Sequence, residues 1–322
     1  MANTTKIFDP GDPATASFGM ELTDASIIRR DGTWTMFLAG QQAPGMPTDI
    51  YYAALPPDSS LLATGWKLAG VEGSPTPVAG RAASSGWDGA GGRHCPSYVR
   101  GWDPVARREV ERIYYAGSAE HSWGPYRIGY LEWNGNIWID QPQPVFSADM
   151  AWEQGSVYEP NLIYHDGKWK MWYVAGSAQN GHVVQGYAES LDGRTGWSRR
   201  APFAPAEMNM FDFCVRQQGG RFEAVFSRGW YGAGDAPQET GLWWCSAPEP
   251  SHRLADWGKP VQIMTAEDRG WHSAPWKPTF HRLHEDQARA LIFFDGHYRK
   301  DGAGAFPFVF TLGCLELDLP IG

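Results

Sequence analysis

Three carboxylates stand in one repeated context. Asp24, Glu159 and Asp212 each lie eight residues before a glycine that closes a tight turn, namely Gly32, Gly167 and Gly220. Two further copies of that context have Cys95, in His-Cys-Pro-Ser, and Lys277, in Trp-Lys-Pro-Thr, just before a matching Pro. Carboxylates that face one poorly hydrated cavity repel one another, which raises at least one pKa. A raised acid beside an ionised one is the pair that acid/base chemistry on a glycosidic oxygen needs. A lone Asp is more often a cap for a loop N–H, or the partner of a cation such as Arg93, Arg228 or Lys277. Three acids in one register point to a site.

The element that positions them is a repeat. Trp34-Thr-Met-Phe-Leu-Ala-Gly40 returns as Arg112-Ile-Tyr-Tyr-Ala-Gly117, Trp169-Lys-Met-Trp-Tyr-Val-Ala-Gly176, Phe222-Glu-Ala-Val-Phe-Ser-Arg-Gly229 and Arg289-Ala-Leu-Ile-Phe-Phe-Asp-Gly296. Runs of aromatic and β-branched residues closed by Gly read as buried strands ending in turns. An upstream strand precedes each one. Ser26-Ile-Ile-Arg-Arg-Asp-Gly32, Asn161-Leu-Ile-Tyr-His-Asp-Gly167 and Cys214-Val-Arg-Gln-Gln-Gly-Gly220 end in the Asp-Gly or Gly-Gly pairs that tight hairpins require. Most copies add a third strand and a tryptophan-bearing fourth, with Trp66, Trp138, Trp197 and Trp257 as markers.

Five units of about four antiparallel strands predict an all-β fold, a five-bladed β-propeller forming one domain over residues 1–322. The blades are expected near 18–70, 90–145, 155–203, 208–263 and 270–318. No amphipathic helix period is present. A β-sandwich shares the strand-rich composition but gives no reason for a five-fold hairpin with matched glycines. In a propeller the three acids fall at the start of the innermost strands, around one central funnel.

Other residues fall near that funnel. Tyr158, Trp230, Trp271 and Trp276 offer flat faces to a sugar, although most of the 17 Trp are expected to pack between blades. His94 and His272 precede the inner strands of the second and fifth blades. Cys95 beside His94 is a weak nucleophile and base pair, because neighbours along a strand point to opposite faces. Cys214 shares the face of Asp212, deeper in the channel, as a small packing residue. His94, Cys95, Tyr158, Arg228, Trp230, Trp271, His272 and Lys277 are thus the candidate substrate-binding set. No metal-ligand spacing, phosphate-binding loop, dinucleotide motif or Gly-x-Ser-x-Gly is present, so no cofactor is expected.

Composition narrows the rest. With 17 Trp, 15 Phe and 13 Tyr the chain carries too much apolar bulk for disorder. The formal charge of −9 argues against a nucleic-acid partner. No apolar run is long enough for a membrane helix. MANTTKIFDPGDP has no apolar h-region, and the four cysteines are widely spaced, so reduced thiols and a cytoplasmic setting are the expectation. Oligomeric state is not readable from the chain.

Thr23-Asp24-Ala-Ser-Ile-Ile-Arg-Arg-Asp-Gly-Thr-Trp34 resembles the first-blade motif of the five-bladed glycoside hydrolases of family 43, the arabinanase and β-xylosidase type. Tyr158-Glu159-Pro-Asn-Leu-Ile-Tyr-His-Asp-Gly-Lys-Trp169 is similar to a later blade of that family, or of the related invertase-like and mannoside-phosphorylase-like propellers. The resemblance implies a glycosidase with Asp24 as general base, Glu159 as general acid and Asp212 as the residue that tunes the acid and orients the sugar, with inversion. It also makes His272 a candidate beside a central ion, as related propellers often hold one near a fifth-blade His. The chain departs from the family in presenting its acids as Asp, Glu, Asp, with Cys95 in the second blade and Ala25 where Pro is common. That departure keeps open an intracellular phosphorylase, lyase or biosynthetic enzyme, or a sugar-binding cup without turnover.

Overall fold

Strand-forming phrases fold into five blades, each of four antiparallel strands. The computed structural model of the chain describes residues 4–8, 21–42, 46–71, 74–80, 86–120, 124–177, 182–229, 240–265, 275–284, 288–298 and 309–320. After β1 (Thr4–Phe8), blade 1 is β2 (Glu21–Arg30), β3 (Thr33–Gln41), β4 (Asp49–Ala54) and β5 (Lys67–Leu68). A small ribbon, β6 (Gly70–Val71) with β7 (Ser74–Pro75), leads to blade 2: β8 (Gly92–Asp103), β9 (Arg108–Ser118), β10 (Arg127–Trp133) and β11 (Trp138–Asp140). Blade 3 is β12 (Val157–His165), β13 (Lys168–Ser177), β14 (His182–Ser190) and β15 (Ser198–Pro202). Blade 4 is β16 (Met210–Gln218), β17 (Arg221–Arg228), β18 (Gly241–Ala247) and β19 (Val261–Thr265). Blade 5 is β20 (Trp276–Arg282), β21 (Arg289–Tyr298) and β22 (Val309–Asp318).

The fourth strand of blade 5 comes from the other end of the chain. β1 pairs antiparallel with β22, Thr4 opposite Leu315, and so closes the ring. The blade limits read from the repeat do not include this strand, because β1 carries no Gly-closed phrase. β2 also touches β22, in parallel through Glu21 and Leu22, joining blades 1 and 5 into one continuous sheet.

Turn chemistry matches the hairpins. Asp31 and Gly32 take φ of 48° and 81°, Asp166 and Gly167 take 49° and 71°, and Gly219 and Gly220 take 52° and 82°. Positive φ at both central residues is the type I′ geometry whose twist suits a two-residue hairpin. Between blades the aromatic and branched faces interlock. Phe37, Ile50, Ile113 and Trp138 join blades 1 and 2, while Val99, Tyr114, Trp169 and Met171 join 2 and 3. Trp172, Tyr187, Phe213 and Trp257 join 3 and 4. Val225, Trp244, Phe280 and Ile292 join 4 and 5, and Met36, Tyr51, Phe293 and Leu312 close 5 onto 1. Five inter-blade cores in a closed cycle leave the innermost strands around the axis, which is where the acids sit.

A ring of left-handed residues at the propeller axis

Each innermost strand is broken at the same place. The pairing of inner strand to second strand shifts between Thr23 and Ser26, His94 and Ser97, Tyr158 and Asn161, Phe211 and Cys214, and Trp276 and Thr279. At the first residue of each bulge the backbone turns left-handed: φ is 58° at Asp24, 55° at Cys95, 51° at Glu159, 57° at Asp212 and 43° at Lys277. For a side chain bearing a Cβ this conformation costs on the order of 1–2 kcal/mol. A bulge re-aims its side chain, and strain stored this way collects at functional sites. Pro96, Pro160 and Pro278 follow in three blades, where the missing N–H removes a donor that the broken ladder cannot pair.

The bulges are tied blade to blade through their side chains. The Cys95 N–H donates to Asp24 Oδ2 at 2.9 Å, and the Lys277 N–H donates to Asp212 Oδ2 at 2.9 Å. The Asp24 N–H donates to both oxygens of Asp295, each at 2.9 Å. Two residues further along, a second ring repeats the device. Ser26 Oγ accepts from the Tyr98 N–H, Ser97 Oγ from the Leu162 N–H, and Asn161 Oδ1 from the Val215 N–H. Below the acids this ring lines a narrow chamber with Ser26, Asn161, Cys214, Arg216 and Thr279 on its walls.

The axis is crowded with acids. Lys277 Nζ lies 2.6 Å from Glu159 Oε2 and 3.9 Å from Asp212 Oδ1. Burial, and then the Glu159 charge, pushes the Asp212 carboxyl well above the ordinary aspartate range. Asp295 is pushed up in the same way by burial and then by Asp24. Both are therefore the proton holders of this ring. Burial works against the Lys277 cation, yet Glu159 and its neighbours hold its pKa well above the ordinary value. Burial and then Asp24 push the Cys95 thiol up, which keeps it a thiol and not the thiolate that a nucleophile needs. Burial opposes a charge on His94 too, but Glu21 and the Gly91 carbonyl outweigh it and raise its pKa to about 9.

The candidates now have positions. Asp24, Cys95, Glu159, Asp212 and Lys277 form the ring. Facing ligand atoms of Asp24, Cys95 and Glu159 lie within 4.8 Å of one another. Glu159 retains partial access, with a side chain 12% exposed against 1% for Asp212. Tyr158 is buried beside Glu159, and its hydroxyl has no hydrogen-bond partner among the described residues. Trp276 is half-buried opposite Asp295. Lys277 is an ion-pair partner of the acids, one of the two roles the sequence offers for it. The pair of His94 and Cys95 is no base and nucleophile, because the His94 Nε2–H donates to the Gly91 carbonyl at 2.8 Å and the thiol stays protonated. Arg228 binds the Met208 carbonyl at 2.9 Å and stacks over Trp243, in contacts that do not bring it to the acids. Cys214 packs below Asp212, with Sγ 3.9 Å from Thr279 Oγ1. All four cysteines are free and buried. Trp230, Trp271 and His272 lie outside the described residues.

Sequence reasoning missed three residues at the axis. Asp295 is fully buried under Asp24. A signal for it exists, since the residue before the closing Gly is Ala39, Ala116, Ala175, Arg228 and Asp295 in the five copies, charged only in the last two. Glu21 lies beside His94, three residues before Asp24, and nothing comparable recurs in the other blades. Tyr126 packs edge-on to His94 at 5.6 Å and against Tyr158 at 5.6 Å, contributed by the segment just before β10 and by no repeated phrase.

No family model and no curated protein sequence matches the chain. Solved structures do. The catalytic domain of the Coprinopsis cinerea family 62 α-L-arabinofuranosidase superposes with a TM-score of 0.63 at 13% identity, covering 97% of this chain and 95% of that one. Zg3597, a family 117 glycoside hydrolase from Zobellia galactanivorans, gives 0.64 at 14% identity over 98% and 90% of the two chains. A thermostable family-43 glycoside hydrolase gives 0.58 at 14%, over 93% and 90%. The chain thus has the family 43-like propeller fold that its motifs resemble.

Proposed function

We propose that this chain cleaves a glycosidic bond with the carboxylates of its axial ring. The observation that carries the reading is the meeting of two kinds of acid: Asp24 and Glu159 bring facing atoms together at the axis, while burial pushes the Asp212 and Asp295 carboxyls up beside them. The folds of the glycoside hydrolases to which the chain is similar support it.

Glu159, the more accessible acid, protonates the leaving oxygen and draws its proton from Asp212, whose charge it influences most. Lys277 must release Glu159 Oε2 as the proton arrives. Asp24 keeps Oδ2 on the Cys95 N–H and presents the other oxygen. With Asp24 as the base that activates a water, as the resemblance implies, the product is the inverted anomer.

Aryl furanosides and pyranosides tested with wild type and Glu159→Gln examine this directly. Wild type is expected to turn over at least one, giving the inverted anomer by NMR. Glu159→Gln should lose at least ~100-fold on poor leaving groups while binding the sugar unchanged. Unchanged turnover would remove Glu159 from the role. A second reading, phosphorolysis on the same scaffold, is favoured by one observation, the buried Lys277 cation in the ring. Phosphate dependence of turnover distinguishes the two.

A further inference from the structure

Away from the axis, a cleft of about 350 Å³ opens at the hairpin end of blade 3. Lys170, Tyr187 and Arg199 form one wall, and Glu249, His252 and Asp256 stand across from them. Its volume is that of a small-molecule site. On β13, Lys170 comes four residues before Val174, the partner of Tyr158, so the cleft and the acid ring are separated by about 13 Å along the strand alone.

The blade 3 wall has more cations than its one acid can match. Glu189 Oε1 meets Lys168 Nζ at 3.0 Å and Arg199 Nε at 3.0 Å, while Oε2 accepts from the Tyr187 hydroxyl at 3.3 Å. Lys170 follows Lys168 by two residues, on the same face of β13. It makes no ion pair or hydrogen bond among the described residues. Burial pushes the Lys170 amine below its ordinary value, and Lys168 adds to the push against the pull of Glu189. A cation in that position gains from an arriving anion. Arg199 has no ion pair or hydrogen bond among the described residues beyond Glu189. Its backbone is left-handed, with φ of 54°, a strain of the kind that collects at functional sites.

The opposite wall is already matched in charge. Glu249 meets His165 at 3.1 Å, and Asp256 meets Arg253 at 2.7 Å. Carboxylates so paired keep lone pairs that accept from hydroxyl groups. The half-buried His252 ring stands 6.0 Å from Tyr187 and adds a flat face to the cleft.

We propose that this cleft binds a small polyhydroxylated anion, a sugar acid or a sugar phosphate, with its charge on Lys170 and Arg199 and its hydroxyls on Glu249 and Asp256. The inference goes beyond the glycosidase reading and does not rest on it, because the compounds that test it carry no glycosidic bond.

The test is calorimetric titration of the whole protein with glucuronate and with glucose 6-phosphate, beside glucose and inorganic phosphate. One or both of the charged sugars should bind at a single site, at least about tenfold tighter than glucose, as a hydrogen bond to a charged group predicts. The charged sugar that binds tells carboxylate from phosphate. Lys170→Gln and Arg199→Gln should each weaken that binding by about tenfold or more. Lys170→Arg keeps the charge and should keep most of the affinity, and circular dichroism checks that each variant is folded. Asp24→Asn should bind as wild type does. The proposal is overturned if neither charged sugar binds, if glucose binds as tightly, or if inorganic phosphate matches glucose 6-phosphate where the latter is the ligand. Unchanged affinity in the folded Lys170→Gln and Arg199→Gln proteins also overturns it. So does loss of binding in Asp24→Asn, which would place the anion at the axis beside Lys277 and His94.

Discussion

Two buried charge clusters in this propeller use the same residue types to opposite ends. At the junction of blades 2 and 3, Arg112 is fully buried. It reaches Asp103 at 2.5 Å and Glu132 at 3.0 Å, and its guanidinium stacks over Tyr130 and Trp169. Burial opposes the Asp103 charge, but the N–H groups of Ala106 and Val105 together with Arg112 hold its carboxyl below the ordinary range. At the axis the balance is reversed. Asp24, Glu159 and Asp212 all act on the Lys277 cation, and the Asp212 and Asp295 carboxyls are pushed up. Burial is common to both places. What separates a structural cluster from a chemical one is whether opposite charge and hydrogen bonds match the buried acids.

The largest effect on stability is expected where the charges match. Arg112→Ala leaves Asp103, 1% exposed, with the Val105 and Ala106 N–H groups and, as a cation, the flanking Arg194 at 3.3 Å. Removing one partner of a buried pair costs about 3–5 kcal/mol. Urea unfolding measures the loss, and a change under ~1 kcal/mol would break the comparison at its structural end.

Asp212→Asn probes the other end. A group whose folded pKa is raised binds more protons folded than unfolded, so its stabilisation is complete below the unfolded value, near pH 4, and is lost as pH rises toward the folded one. Wild type should therefore lose stability from this residue as pH climbs from about 4. Asn keeps an oxygen for the Lys277 N–H but carries no titrating proton. The variant is expected to be as stable as wild type at pH 4 and more stable at pH 7, with catalysis reduced. Asp103→Asn should do the reverse and lose stability at pH 7, because a lowered pKa stabilises above the unfolded value and ceases to as pH falls. Parallel pH profiles for wild type and Asp212→Asn would show that the axial acid is no proton holder.

Most of the axial ring was legible because a repeat turns spacing into geometry. Asp24, Glu159 and Asp212 could be aligned by counting from Gly32, Gly167 and Gly220, and Cys95 and Lys277 by their following prolines. The left-handed turn at all five was not legible, since none is Gly and the bulge arises from the neighbouring strand's pairing. Asp295 escaped for a related reason: it belongs to a second strand and not to the innermost one, and its two bonds to the Asp24 N–H join blade 5 to blade 1. Lys277 was aligned with the ring and offered as a partner for an acid, yet which acid could not be read, because the ion pair with Glu159 crosses from blade 5 to blade 3. Glu21 and Tyr126 come from positions that the repeat does not share. Contacts made once in the molecule leave no periodic trace.

The smallest expected effect lies on the same carboxylate as the largest. Glu132 pairs through one oxygen with Arg112 and through the other with Arg108 at 2.8 Å. The Arg108 side chain is 51% exposed, whereas that of Arg112 is fully buried. Water already solvates the Arg108 guanidinium, and a long side chain must be ordered to make the pair, so Arg108→Ala should cost at most ~1 kcal/mol. Salt should shrink even that difference, while leaving the Arg112→Ala deficit nearly intact. Equal losses in the two variants would mean that Glu132, and not the burial of its partner, sets the strength of the cluster. The contrast with the axis would then have to rest on the number of acids alone.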